Sequence, residues 1–286
     1  NGLCLGTKEI DIPQTDKSDG TNQEVAGTIE NIDLDVNKAL DNLIFLFNFS
    51  VNPDGRVYNT RANINGFDIN RDCAFQTQPE SINTTAEIAK WSPVNFLDFH
   101  GFVSGFLIEP TTGPHDPNYE YDLLLDSMVE QAHIMGGAGI GSTKYNNYLV
   151  PREDYKQGWD DASPVYTPMY AMHHGALGHT IEIPEINEDS TDALIAAAFS
   201  STKYVVDNKD KLYKNQLEYF RRGIENIDAK DTVDPLLVDL EGDVIGRPRV
   251  GDENYFPEYY VIPADTVNQK NVLEAYKMAE YLIRNG

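Results

Sequence analysis

The 286-residue chain has 46 acidic residues against 22 basic ones, a formal net charge of −24, and 41% of its residues are hydrophobic. That length suits one large α/β domain or a domain with an appendage, and the apolar fraction is too high for a disordered chain. The charge argues against nucleic acid or an anionic membrane as partner, since phosphate would be repelled. Apolar runs such as Leu43–Phe47 are far too short to span a bilayer.

Residues 1 to about 30 are polar and lack a clear period, which predicts an irregular arm or the remnant of a preceding segment. From residue 31 to 241 the pattern is that of one domain. Leu43–Val51 is β-branched and aromatic and is stopped by Asn52-Pro-Asp-Gly55, which predicts a buried strand ending in a turn. A helix is predicted over 80–91 after Pro79, and a second buried strand over 93–100, stopped by Gly101. Tyr119–Met135 has apolar residues at helical spacing, with Gly136-Gly137 as its expected C-cap. His179–Ile183 reads as a third strand, and 192–222 as largely helical. Strands alternating with helices predict an α/β fold: a mixed, mainly parallel central sheet flanked by helices. In such sheets the chemistry gathers at the carboxyl ends of the strands.

Residues 242–286 differ. Gly242–Pro257 is rich in Gly, Pro and acid and reads as a linker, followed by a short strand over 259–262 and a helix over 272–284, the start of a further region. The two cysteines, Cys4 and Cys73, are no disulfide framework, and pairing or two free thiols both stay open. Two Asn-x-Ser/Thr triplets, at Asn48 and Asn83, are of a kind that arises often by chance.

Three predicted strand ends carry polar residues where a purely structural sheet would have turn residues. The first is Asn52-Pro-Asp-Gly55, followed by Arg56, Arg61 and Gly66-Phe-Asp-Ile-Asn-Arg71. The second is Leu97-Asp-Phe-His-Gly101, and the third is His179-Thr-Ile-Glu-Ile-Pro-Glu185. Singly each is weak. In this order, over about Ala39 to Phe220, they resemble the zinc metallocarboxypeptidase family, whose familiar member is carboxypeptidase A. The run Asn52–Glu80 is the most specific part.

The resemblance implies a role for each matching residue. His100 matches a zinc ligand, for which a neutral imidazole is suited. Glu182 matches the glutamate that serves as general base. Arg61 matches the arginine that steadies the oxyanion, with Arg56 as its rival. Asn70 and Arg71 match the pair that grips a terminal carboxylate, a task suited to the planar guanidinium fork. Tyr166 is the choice for the mobile tyrosine that covers the substrate, ahead of Tyr170. The implied protein is a secreted or cell-surface zinc enzyme hydrolysing C-terminal peptide bonds, its partner the C-terminus of a peptide or protein. The alternative is a noncatalytic relative that binds peptide carboxylates or serves as a surface or assembly protein.

One part of the family pattern is missing. A His-x-x-Glu pair, the source of two further zinc ligands, should lie within Asn1–Ile12, and that window has no histidine; the six are at 100, 115, 133, 173, 174 and 179. The spacing of His179 and Glu182 imitates the pair, but on a strand positions i and i+3 face opposite sides. His173 and His174 read as structural or surface residues. The other two ligands are therefore expected from a segment outside this chain, unless the site is genuinely replaced.

Overall fold

A computed structural model describes residues 9–15, 30–110, 116–151, 163–239, 242–249 and 259–285. Cys4 and His115 lie outside the described residues.

Chain order begins with strands β1 (Glu9–Gln14) and β2 (Glu30–Asp35), an antiparallel pair. Helices α1 (Val36–Asn42), α2 (Pro53–Tyr58) and α3 (Pro79–Trp91) follow. Then come β3 (Asn95–Gly101), β4 (Leu107–Glu109), α4 (Tyr121–Gly141), α5 (Thr167–Met172) and β5 (Leu177–Ile183). The long α6 (Glu188–Ile224), the short α7 (Lys230–Val233) and α8 (Val272–Arg284) complete the order.

The protein mixes helix and sheet, with β5 at the centre of a small three-stranded sheet in the order β3-β5-β4. The β3–β5 pairing is parallel over seven register pairs and the β4–β5 pairing antiparallel over three, so among the described residues the sheet is mixed. Helices cover both faces. Leu97, Ile108, Ile181 and Ile183 pack with Met135 of α4 and Ala193 and Ala197 of α6. On the other face Phe96 packs with Cys73, Ile88 of α3, and Tyr170 and Ala171 of α5. A strand's alternation sends neighbouring residues to opposite faces, so each strand feeds both cores.

The helices predicted over 80–91 and 272–284 form within a residue of those bounds. The helix predicted over 192–222 begins at Glu188 because Asn187 caps it, its Oδ1 accepting from the Ser190 backbone N–H at 2.7 Å.

Four local expectations differ. Gly136-Gly137 does not cap α4, which runs on to Gly141. These glycines serve close packing instead: a Cβ on Gly137 would lie 2.1 Å from the Thr15 carbonyl oxygen, so only glycine lets β1 pass over α4. Residues 9–14, inside the expected irregular arm, form β1, whose Ile12 packs with Ala138 and Ala196. The run Leu43–Val51 is not a buried strand. Among the described residues no strand pairs with it; Ile44, Leu46, Phe47 and Phe49 are exposed, and the rings of Phe45, Phe47 and Phe49 stack successively at 6.4 and 6.0 Å. Residues 259–262 form no strand, and Tyr259, Tyr260 and Val261 are exposed.

Residues 242–249 are irregular yet docked. Arg247 is buried and donates to Glu120 at 2.8 Å, and Arg249 pairs with Asp228 and Asp234 at 2.7 Å. Arg222 of α6 binds the same region of α4, at 2.6 Å from Glu120 and 2.8 Å from Asp122. No helix among the described residues is long and apolar enough to cross a membrane.

Candidate functional site at the carboxyl ends of β3 and β5

The Asn-Pro-Asp-Gly segment does more than turn the chain. Asn52 caps α2, accepting from the Gly55 N–H at 2.8 Å, and its amide donates to the Arg61 carbonyl at 2.9 Å. Pro53 at the first helical turn loses no hydrogen bond there. Asp54 accepts from the Ile64 N–H at 3.1 Å. A Cβ on Gly55 would sit 2.4 Å from the Asn52 amide nitrogen and 2.5 Å from the Thr60 carbonyl oxygen, so the position requires glycine. Asn63 fixes the next turn, its side-chain oxygen accepting from the Asn65 and Phe67 N–H groups while its amide donates to Gln78. This is how the sequence presents Arg61 on a well-held loop.

Asp68 joins the two arginine-bearing parts of the site. One carboxylate oxygen lies 2.8 Å from Arg61 Nε, and the other accepts from the Asn70 N–H at 3.1 Å. A single turn of 3-10 helix over Ile69–Arg71 then points Asn70 and Arg71 toward α5. The Asn70 side-chain oxygen accepts from the Thr167 N–H at 3.3 Å, and the Arg71 guanidinium lies 4.4 Å from the centroid of the Tyr166 ring. Arg71 is exposed and also donates to the Asn70 carbonyl.

On the strands, His100 of β3 and Glu182 of β5 are register partners, so their side chains leave the same face of the sheet. Asp98, two residues before His100, shares that face, and its Oδ2 lies 2.8 Å from His100 Nε2. Burial of the His100 ring disfavours its charged form, Asp98 and Glu182 favour it by more, Arg61 opposes it, and the net pKa is raised. Arg56 lies exposed on α2 with no ion pair among the described residues.

The other titratable groups read as structural. His179 is fully buried on the opposite face, its Nε2 3.1 Å from the Met128 carbonyl of α4, and burial pushes its pKa down to about 4. It does not converge with Glu182, in keeping with the strand alternation. His173 stacks against Tyr119 with ring centroids 4.6 Å apart, and His174 lies 5.3 Å from the Tyr170 ring; burial lowers both pKa values. Cys73 contacts the Thr167 hydroxyl at 3.3 Å, and burial pushes its thiol up to about 11, which removes it as a nucleophile.

The motif residues thus fall into two groups: His100 and Glu182, register partners on β3 and β5, and the set Arg61, Asn70, Arg71 and Tyr166, in which Asp68 joins Arg61 to Asn70 and Arg71 lies on the Tyr166 ring. Sequence reasoning passed over Asp68, Asp98 and Thr167. The i, i+2 spacing of Asp98 and His100 on a strand was a usable signal for one of them. Thr167 carried none, because its contact with Asn70 spans 97 residues.

A structural or catalytic zinc site needs at least three protein ligands. His100 is one suitable donor, but among the described residues no three His, Cys, Asp or Glu side chains gather to hold a metal ion. These residues therefore do not make a zinc site by themselves, and no chemical step is assigned through zinc. Comparison with family models, curated proteins and solved structures returned no match.

Proposed function

We propose that this chain is the substrate-gripping part of a metallocarboxypeptidase-like domain, holding the C-terminal carboxylate of a peptide or protein. The observation that carries the reading is the placement of Arg71. Its guanidinium is exposed, stacked on Tyr166 and flanked by Asn70, whose side-chain oxygen accepts from the Thr167 N–H at the start of α5. A guanidinium binds a carboxylate through two parallel hydrogen bonds, and the amide of Asn70 adds a donor. In a chain of net charge −24, exposed arginines presented by ordered loops point to a local anion site rather than a general basic surface.

In this reading the terminal carboxylate meets Arg71 and Asn70, Tyr166 flanks the last side chain, and the scissile carbonyl faces Arg61. Glu182 would act as general base, taking a proton from the water that attacks that carbonyl carbon and passing it to the leaving amine nitrogen, with His100 beside it. Hydrolysis as a secreted or cell-surface zinc carboxypeptidase further requires ligands that the described residues do not supply.

A second reading rests on the same exposed Arg71, Asn70 and Tyr166, which need no metal to bind a carboxylate: recognition of peptide C-termini without cleavage. The test uses N-benzoyl dipeptides of varied last residue, each with a free carboxylate and as its amide. Calorimetry expects binding of the carboxylates and little of the amides; equal affinity overturns the carboxylate grip. Release of the last residue that a zinc chelator abolishes supports the peptidase, and binding without release supports the second reading.

A further inference from the structure

We infer that Asn285, just beyond the end of α8, is a positioning residue that locks together the two elements of the carboxylate grip. The inference rests on the reading above and extends it to a part of the chain outside the motif-bearing segment. Arg71 belongs to the loop that runs on through residues 72–78, whereas Tyr166 and Thr167 begin α5. Asn285 touches both. Its Oδ1 accepts from the Gln76 side-chain amide at 2.6 Å and from the Tyr170 hydroxyl of α5. Its Nδ2 donates to Gln76 Oε1 at 3.3 Å.

The loop is built to transmit this restraint. Gln76 is buried in the left-handed region, at φ 52°, a conformation unfavourable for a residue with a side chain and held here by its contacts. Its backbone N–H bonds the Asp72 carbonyl at 2.6 Å. The Asp72 carboxylate in turn accepts from the Thr77 and Gln78 N–H groups. Asp72 directly follows Arg71, so the path from Asn285 to the guanidinium is short. Around Asn285, Arg284 Nε donates to Gln76 Oε1 at 2.8 Å, and the Tyr281 hydroxyl donates to the Ala74 carbonyl at 2.8 Å.

The apolar contribution of α8 is small. Ala275 is its one buried residue, and Leu273, Tyr276 and Ile283 are exposed. Among the described residues, Tyr281, Arg284 and Asn285 make polar contacts with the 72–78 loop and with Tyr170. A helix docked in this way orients the grip more than it adds to the core.

The experiment measures the affinity ratio between benzoyl dipeptide carboxylates and their amides for the full chain, Asn285→Ala, Tyr170→Phe and Asn285→Asp. Asn285→Ala and Tyr170→Phe are expected to lower the ratio about tenfold with the melting temperature unchanged, through loosened preorganisation. Asn285→Asp, which keeps the acceptor shared by Gln76 and Tyr170, is expected to recover part of it. A full chain with no carboxylate preference overturns the underlying reading and this inference with it. A preference that survives both Asn285→Ala and Tyr170→Phe overturns the inference alone, and so does a lowered melting temperature with an unchanged ratio.

Discussion

The guanidinium of Arg71 lies 4.4 Å from the centroid of the Tyr166 ring. The stacking holds a long, exposed side chain in one orientation before any ligand arrives. A cation over an aromatic face is worth about 0.5–1 kcal/mol at an exposed site. Tyr166→Phe keeps the ring face and is expected to leave carboxylate affinity within about twofold. Tyr166→Ala removes it and is expected to weaken binding by about threefold to fivefold, as measured by calorimetry.

Arg71 itself is the stronger test. Its fork presents donors in the plane of a carboxylate, and a hydrogen bond to a charged group contributes about 1.5–3 kcal/mol. Arg71→Ala is expected to weaken carboxylate binding by about thirtyfold while leaving amide binding unchanged. Arg71→Lys keeps the charge without the fork and is expected to recover only a fraction of the affinity.

Gly55 is predicted to be intolerant of any side chain. The added Cβ of Gly55→Ala would meet the Thr60 carbonyl oxygen at 2.5 Å, and backbone cannot swing aside as a side chain can. Denaturant unfolding is expected to show a loss of about 1–3 kcal/mol. Arg61 should gain mobility in relaxation measurements, because Asn52, which holds its carbonyl, is displaced too.

His179 sets a pH dependence of stability. It is buried neutral, with a pKa near 4 against 6.5 in the unfolded chain, so the unfolded state binds the proton first as pH falls. Its contribution is fully present above pH 6.5 and is lost as pH falls from there toward about 4. Between pH 7 and pH 5 the loss is about 2 kcal/mol. His179→Gln is expected to lower stability at pH 7 but to flatten this slope, measured as denaturant midpoints at the two pH values. A slope identical to the parent chain would refute the assignment.

The sequence read β3, β5, α3 and α8 well because each has its own punctuation: Gly101, Pro184, Pro79 and the helical spacing of 272–284. It read the α4 terminus poorly. Gly136-Gly137 is a good stop signal in isolation, and only the approach of β1 makes those glycines part of a continuing helix. Leu43–Val51 failed for a related reason. Composition tells that a segment favours an extended, apolar setting, but not whether a neighbouring strand is there to bury it.

For the site, motif order singled out His100, Glu182, Arg61, Asn70 and Arg71 as candidates, whereas no motif fixed Tyr166; the Asn cap at Asn52, the close approach at Gly55 and the strand alternation around His100 are written locally. Local rules also separated His179 from Glu182. Tertiary structure alone decided which residues support them. Thr167 meets Asn70 across 97 residues, and Asn285 meets Gln76 across 209. Such contacts form only when the sheet and its flanking helices have packed, so no window of sequence contains them. Side-chain chemistry therefore marks out the residues of the proposed grip, and packing decides what holds them in place.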